Sequence, residues 1–259
     1  MRFSDVKALY EDCGRGPVSE PLTQHLRGVG DILAGAGGAV LGRYFRVRHG
    51  LGEDFIHYLA LAGYLHDIGK AVIRSVRRDR SSGCVVYSFR GHEAVSAFVV
   101  ARLMRGVDVS DELLEAAPVF AVLYHHHAMG TERRISIEDM KWVRPQVGSA
   151  AELAELIAES IKPLPRSIRS GLEAAAPDAA DAVMGDLGRV TAYVRRNLDD
   201  WVWRVAAGKE GGFAVLTASA AALVAADYVT AANARKAPRS GFSAAALEFA
   251  RHYLGVGDP

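Results

Sequence analysis

The chain has 259 residues, half of them hydrophobic, and a formal net charge of +1. That composition excludes a disordered chain and a strongly basic protein that coats nucleic acid by charge alone, yet it leaves room for one sizeable core and for local basic patches. Met1 to Glu11 mixes charges of both signs without an apolar core segment, so no secretory leader is expected.

In chain order, helical patterns predominate, because alanine and leucine are abundant and apolar residues recur at helical spacing. Ser19 to Leu33 predicts a helix after Pro17, with Pro21 near its first turn, and it carries His25. Gly35 to Gly42 predicts a break or a tight helix contact. Glu53 to Ile68 has an apolar stripe of Phe55, Ile56, Leu59, Ala62 and Leu65, with Gly69 as its stop. Cys84 to Phe89 follows a Ser-Ser-Gly turn signal and reads as a strand, part of a short β-hairpin near 84–90. His92 to Met104 and Asp111 to His127 read as helices, the second interrupted or begun near Pro118. The more polar stretch from Gly130 to Pro165 reads as a loop plus a short helix over the core. Asp178 to Ala207, Phe213 to Ala234 and Ser243 to Leu254 complete the helices.

The most hydrophobic run, Phe213 to Ala226, is shorter than a bilayer span of roughly 20 residues and ends on Asp227, so a buried helix is expected and no membrane contact. Without repeats or linkers, the expectation is a single all-α domain over residues 1–259. Cys13 and Cys84 make no CxxC pair and read as isolated buried thiols. With no leader in view, they point to a reducing, cytoplasmic setting.

The polar chemistry lies inside these apolar stretches. His66 and Asp67 are adjacent, and His25, His92, the run His125-His126-His127 and Asp227 stand at wide intervals around them. Buried polar groups without partners are costly, so such a set calls for a common partner, and a metal centre is the simplest one. Histidine offers a neutral nitrogen, and Asp67 a hard oxygen of a type able to bridge cations. Mixed imidazole and carboxylate ligands suit manganese, iron, cobalt, nickel or zinc better than calcium. A carboxylate at Asp227, after a long apolar helix, opposes the helix dipole and points to a cation nearby. The histidine run allows two registers, 125–126 or 126–127, and the first is favoured because Leu123 and Tyr124 then close the apolar run. His49, His57 and His252 read as ordinary surface or core residues.

Lys70, about one turn beyond the doublet, is either a phosphate contact or a lysine favoured at a helix C-terminus. Lys70, Arg74, Arg77, Arg78, Arg80 and Arg90 cluster with only Asp79 and Glu93 against them. They form either a solvated loop or an electrostatic path for a phosphodiester backbone, with Tyr87 and Phe89 available to stack on bases. Arg133, Arg134 and Lys141 offer a second basic edge. The phosphate-loop pattern fails at Ala71, and no Gly-x-Ser-x-Gly elbow occurs, so neither an ATP motor nor a nucleophilic serine is expected.

Five motifs stand in one order: Gln24-His25-Leu26-Arg27-Gly28-Val29, Tyr64-Leu65-His66-Asp67-Ile68-Gly69-Lys70, Gly91-His92-Glu93-Ala94, Tyr124-His125-His126-His127 and Ala226-Asp227-Tyr228-Val229-Thr230-Ala231. In this the chain resembles the HD superfamily of metal-dependent phosphohydrolases, and within it the stand-alone HD nuclease of type I CRISPR interference. The resemblance implies an HD-type helical bundle with two divalent ions (Mn, Fe, Co, Ni or Mg). His25, His66, Asp67 and Asp227 would hold one ion; Asp67, His92, His125 and His126 would hold the other. Asp67 and Lys70 become the catalytic residues, and Lys70, Arg74, Arg77, Arg78 and His127 the substrate contacts. The implied activity is nuclease hydrolysis of single-stranded DNA, or of RNA, in antiviral defence, with endonuclease and exonuclease modes both open. The implied partners are a separate helicase subunit and the guide-RNA surveillance complex. Two alternatives stand beside it: an HD phosphohydrolase acting on free nucleotides, and a metal-stabilised docking module without catalysis.

Overall fold

The computed structural model describes residues 3–14, 16–109, 111–126, 143–235 and 241–257. Over these residues the fold is helical, with one small sheet. A 3-10 turn, Phe3–Asp5, leads into β1 (Lys7–Asp12) and β2 (Pro17–Pro21). The helix anticipated from Ser19 begins only at Leu22, as α1 (Leu22–Gly35). Ser19 and Glu20 instead pair with Tyr10 and Leu9 of β1. Prolines at both ends of β2 suit an edge strand, where a missing N–H leaves no gap in the ladder.

A 3-10 turn, Ala36–Gly38, breaks the chain before α2 (Val40–His49), which the sequence reading did not foresee. Next come α3 (Glu53–Leu65), a 3-10 turn at Ile68–Ala71, β3 (Ser75–Arg78), β4 (Val85–Ser88), α4 (His92–Met104) and α5 (Glu112–Tyr124). β3 and β4 form the anticipated hairpin. β1 joins its other edge, giving an antiparallel sheet of order β2-β1-β4-β3.

That pairing overturns the reading of the cysteines. Glu11 lies opposite Val86 and Asp12 opposite Val85, so the next step of the register brings Cys13 to Cys84. They form a disulfide, with the two Cα atoms 4.3 Å apart and Cys13 exposed. Their separation of 71 residues concealed this, because only the sheet register makes them neighbours.

The remaining helices are α6 (Ala150–Ile161), α7 (Arg166–Gly185), α8 (Leu187–Tyr193), α9 (Asp199–Gly208), α10 (Gly212–Arg235) and α11 (Gly241–Phe249). π-helical turns, Val194–Leu198 and Ala250–Leu254, follow α8 and α11. α5 and α7 run through Pro118 and Pro177 without stopping. Each proline removes one helical hydrogen bond, but the apolar face on either side is buried in the core, and packing outweighs that local loss.

A single hydrophobic cluster extends from Val6 to Leu254. Within it, glycines set the helix spacing. A Cβ on Gly63 of α3 would lie 2.8 Å from the Gly30 Cα of α1, and one on Gly28 would lie 2.7 Å from the Thr230 side chain of α10. α10 is long and apolar enough to cross a membrane by composition, but most of that stretch is buried within the fold.

Candidate metal centre

The site is assembled at helix ends. His66 is the C-cap of α3 and His125 the C-cap of α5, so each His-led pair falls where the chain leaves helical geometry. Asp67, at φ −109° and ψ 7°, turns away from the helix and directs its carboxylate across to its neighbours. His92 opens α4 just after Gly91, whose φ of 88° lies in the left-handed region that glycine adopts without penalty. Negative helix C-termini at α3 and α5 favour a cation between them.

Gly69, read from the sequence as the stop of α3, lies instead inside the 3-10 turn that follows it. A Cβ there would lie 2.3 Å from the His92 carbonyl oxygen, and its N–H donates to Ser96 Oγ at 2.9 Å. It is glycine because the 3-10 turn must touch the start of α4, and that contact brings the doublet to His92. Gly28 against Thr230 does the same for α1 and α10, one turn beyond His25 and Asp227.

The bridging pattern is visible in Asp67. Its Oδ2 lies 3.3 Å from His25 Nε2 and 3.4 Å from His66 Nε2, while its Oδ1 lies 2.7 Å from His92 Nε2 and 3.6 Å from His125 Nε2. Asp227 Oδ1 joins the first side, 3.1 Å from His25 Nε2 and 3.9 Å from His66 Nε2. His126 joins the second, its ring 5.2 Å from that of His92. Two groups of potential ligands result: His25, His66 and Asp67, and Asp67, His92, His125 and His126. His49, His57 and His252 enter neither.

The far side of each ring is already engaged. Nδ1 of His66 faces the Gly63 carbonyl at 2.9 Å, that of His92 the Phe89 carbonyl at 2.6 Å, and that of His125 the Val122 carbonyl at 2.6 Å. A carbonyl only accepts, so Nδ1 carries the hydrogen and the Nε2 lone pair points inward, the tautomer a metal requires. His25 Nδ1 meets Glu20 Oε1 at 3.1 Å.

The fit to a cation rests on the inner atoms. Nε2 of His25, His66, His92 and His125, together with Asp67 Oδ1, are buried and satisfied by no hydrogen bond of proper angle, despite their closeness to carboxylate oxygens. An unsatisfied buried polar group costs about 1–3 kcal/mol. Five of them would cost on the order of 10 kcal/mol, comparable with a whole domain's stability. Divalent ions would satisfy all five together.

Electrostatics agree. Burial alone would depress the His25 pKa, but Asp227, Asp67 and Glu20 outweigh it and hold it well above its ordinary value. Burial would raise Asp67, but Lys70, His66, His92 and His125 keep it well below the usual carboxylate range. Burial would likewise raise Asp227, yet His25 and His66 keep it ionised.

Lys70 Nζ sits 2.5 Å from Asp67 Oδ2 and 5.4 Å from the centre of the Phe89 ring. Arg77 and Arg78 are exposed on β3, whereas Arg74 is half-buried, its guanidinium 5.1 Å from the centre of the Tyr87 ring. Tyr87 also stacks on Tyr10, with centroids 4.4 Å apart, so internal partners take up the ring earlier read as a base platform. His127, Arg133, Arg134 and Lys141 lie outside the described residues.

Sequence reasoning missed the residues behind the ligands. Glu20 supports His25 from β2, and buried Glu93 places Oε2 3.4 Å from His92 Nδ1. Gln146 donates from Nε2 to the Lys7 and Lys70 carbonyls, tying β1 to the 3-10 turn. Glu93 had a local signal, its place directly after His92; Glu20 and Gln146 had none.

Residues 22–147 match the family model of the HD domain. The match supports kinship with the HD superfamily and points to metal-dependent hydrolase chemistry at these histidines and aspartates. Asp227 lies beyond the matched span and reaches the site on α10. Neither the curated proteins nor the solved structures gave a match.

Proposed function

We propose that the chain is a two-ion phosphodiesterase that cuts single-stranded nucleic acid, DNA above all, in CRISPR interference. One observation carries the two-ion reading: the two oxygens of Asp67 face separate sets of imidazole Nε2 atoms. When bound at such a site, divalent ions supply Lewis-acid stabilisation of a phosphoryl group and lower the pKa of water toward neutrality.

The chain's own residues do the rest. Asp67 joins the two ligand groups, and the carbonyls behind His66, His92 and His125 fix their tautomers. Lys70, at the mouth of the site, neutralises Asp67 and can neutralise charge building on a phosphate. Arg77 and Arg78 on β3 give a nearby exposed basic strand suited to a polyanion. The five motifs support the stand-alone CRISPR nuclease reading, and with it a separate helicase and a guide-RNA complex as partners.

The test combines metal content of the purified chain with cleavage of an end-labelled single strand in manganese or nickel. The expected result is two ions per chain and cleavage that Asp67→Ala abolishes along with the metal. Full cleavage by Asp67→Ala would refute the reading. Release of phosphate from free nucleotides with no strand cleavage would replace it with nucleotide hydrolysis.

A further inference from the structure

Beside α5 the surface carries two large, partly exposed aromatic side chains. Trp203 of α9 is 38 % exposed and Phe213 of α10 is 50 % exposed. Their rings lie 5.9 Å apart at 37° and line a cleft of about 680 Å³ with Arg196, Asn197, Arg204 and Asp200. Among the described residues neither Arg196 nor Arg204 has an ion-pair partner, and Asp200 is the one carboxylate among the described lining residues.

This surface is coupled to the metal centre. Trp203 Nε1 donates to the Tyr124 hydroxyl at 2.8 Å, and the two rings meet edge to face at 5.6 Å. The Tyr124 hydroxyl also bonds Asp199, which leads α9. Tyr124 is the last residue of α5, and the next two residues are His125 and His126. Trp203 is thus tied to the residue that directly precedes the second ligand group in the chain.

We infer that Trp203 and Phe213 form a stacking platform for a single-stranded polynucleotide, with Arg196 and Arg204 holding its phosphates, and that the platform leads the strand to the metal centre. Exposed rings beside unpaired guanidiniums fit a chain that alternates bases with phosphates. Any base offers a flat face to an aromatic ring, and each phosphate offers a charge. The inference rests on the nucleic-acid reading of the site and places the strand on its His125 side.

The test uses the full chain and a fluorescein-labelled oligothymidylate in chelator, so that binding is read by anisotropy without cleavage. Base–aromatic stacking is worth about 1–3 kcal/mol per base, so Phe213→Ala should weaken binding by about fivefold to 150-fold. Arg196→Glu with Arg204→Glu should weaken it at least as much and flatten its salt dependence. Phe213 is exposed enough that its replacement should leave the melting temperature unchanged, unlike Trp203, which bonds Tyr124. Unchanged strand affinity in both variants would overturn the platform, even where wild type still cleaves. A wild type that neither binds nor cleaves any strand would remove the nucleic-acid reading itself. Loss of binding in the variants with metal content intact would bear out the platform alone.

Discussion

The two halves of the metal centre share Asp67 and differ chiefly in the charge of their ligands. The first, around His25 and His66, adds the carboxylate of Asp227 and backs His25 with Glu20. The second, around His92, His125 and His126, has the other Asp67 oxygen as its one anionic group in the ligand set; carbonyls back His92 and His125, and Glu93 also lies behind His92. More negative ligands neutralise a cation and hold it; neutral imidazoles leave more of its charge to act on a phosphate. In the two-ion proposal, the first half would therefore retain its ion and the second would polarise the phosphate. His126, half-buried, also leaves the second half more open.

Removing one ligand from each half breaks the comparison most directly. Asp227→Ala should lose the more firmly held ion, lowering metal content from two to one per chain at limiting metal. His126→Ala should weaken only the less firmly held ion, so that its activity falls and returns once excess metal is added. Equal losses in both variants would erase the distinction.

Glu20→Gln sharpens it. The carboxylate behind His25 raises that ligand's basicity, and loss of such a group costs about 10–100-fold in metal affinity. Titration calorimetry should find one affinity weakened by that amount and the other unchanged. Two weakened affinities would mean that the halves are not independent.

Gly69→Ala tests what the halves share, because the 3-10 turn must touch the His92 backbone for Asp67 to reach both groups. Overpacking of this kind costs about 1–3 kcal/mol, read as a lower melting temperature, and it should loosen both ions together.

The smallest effect is pH-dependent and belongs to the first half. In chelated protein the folded pKa of His25 lies above its unfolded value of about 6.5. Its stabilisation is therefore fully present below about pH 6.5 and is lost as pH rises through the folded value. Chelated protein should melt at lower temperature as pH rises above about 6.5, and His25→Gln should flatten that slope. Metal must displace the His25 proton, so metal affinity should run the opposite way, tightening as pH rises.

The residues of the centre were legible because each side chain's chemistry conflicts with its apolar surroundings. His66, His92 and His125 each find a carbonyl three residues earlier, so even their tautomers follow from local geometry. α4, α5 and α10 were legible as long runs of apolar, helix-favouring residues, which is a local property. Glu20 was not, because its strand exists only through pairing with β1. Gly69 was read as a stop when its task is a contact with a distant backbone.

The sequence alone determined that the chain is mainly helical and that imidazoles and carboxylates would have to find one another in its core, since composition and periodicity are properties of neighbours along the chain. Tertiary structure alone decided that Cys13 meets Cys84, that Asp67 faces both ways, and that Trp203 stays at the surface beside Tyr124. Those outcomes depend on strand register and on helix contacts set by single glycines, and distances between remote segments are fixed only once the whole core has packed.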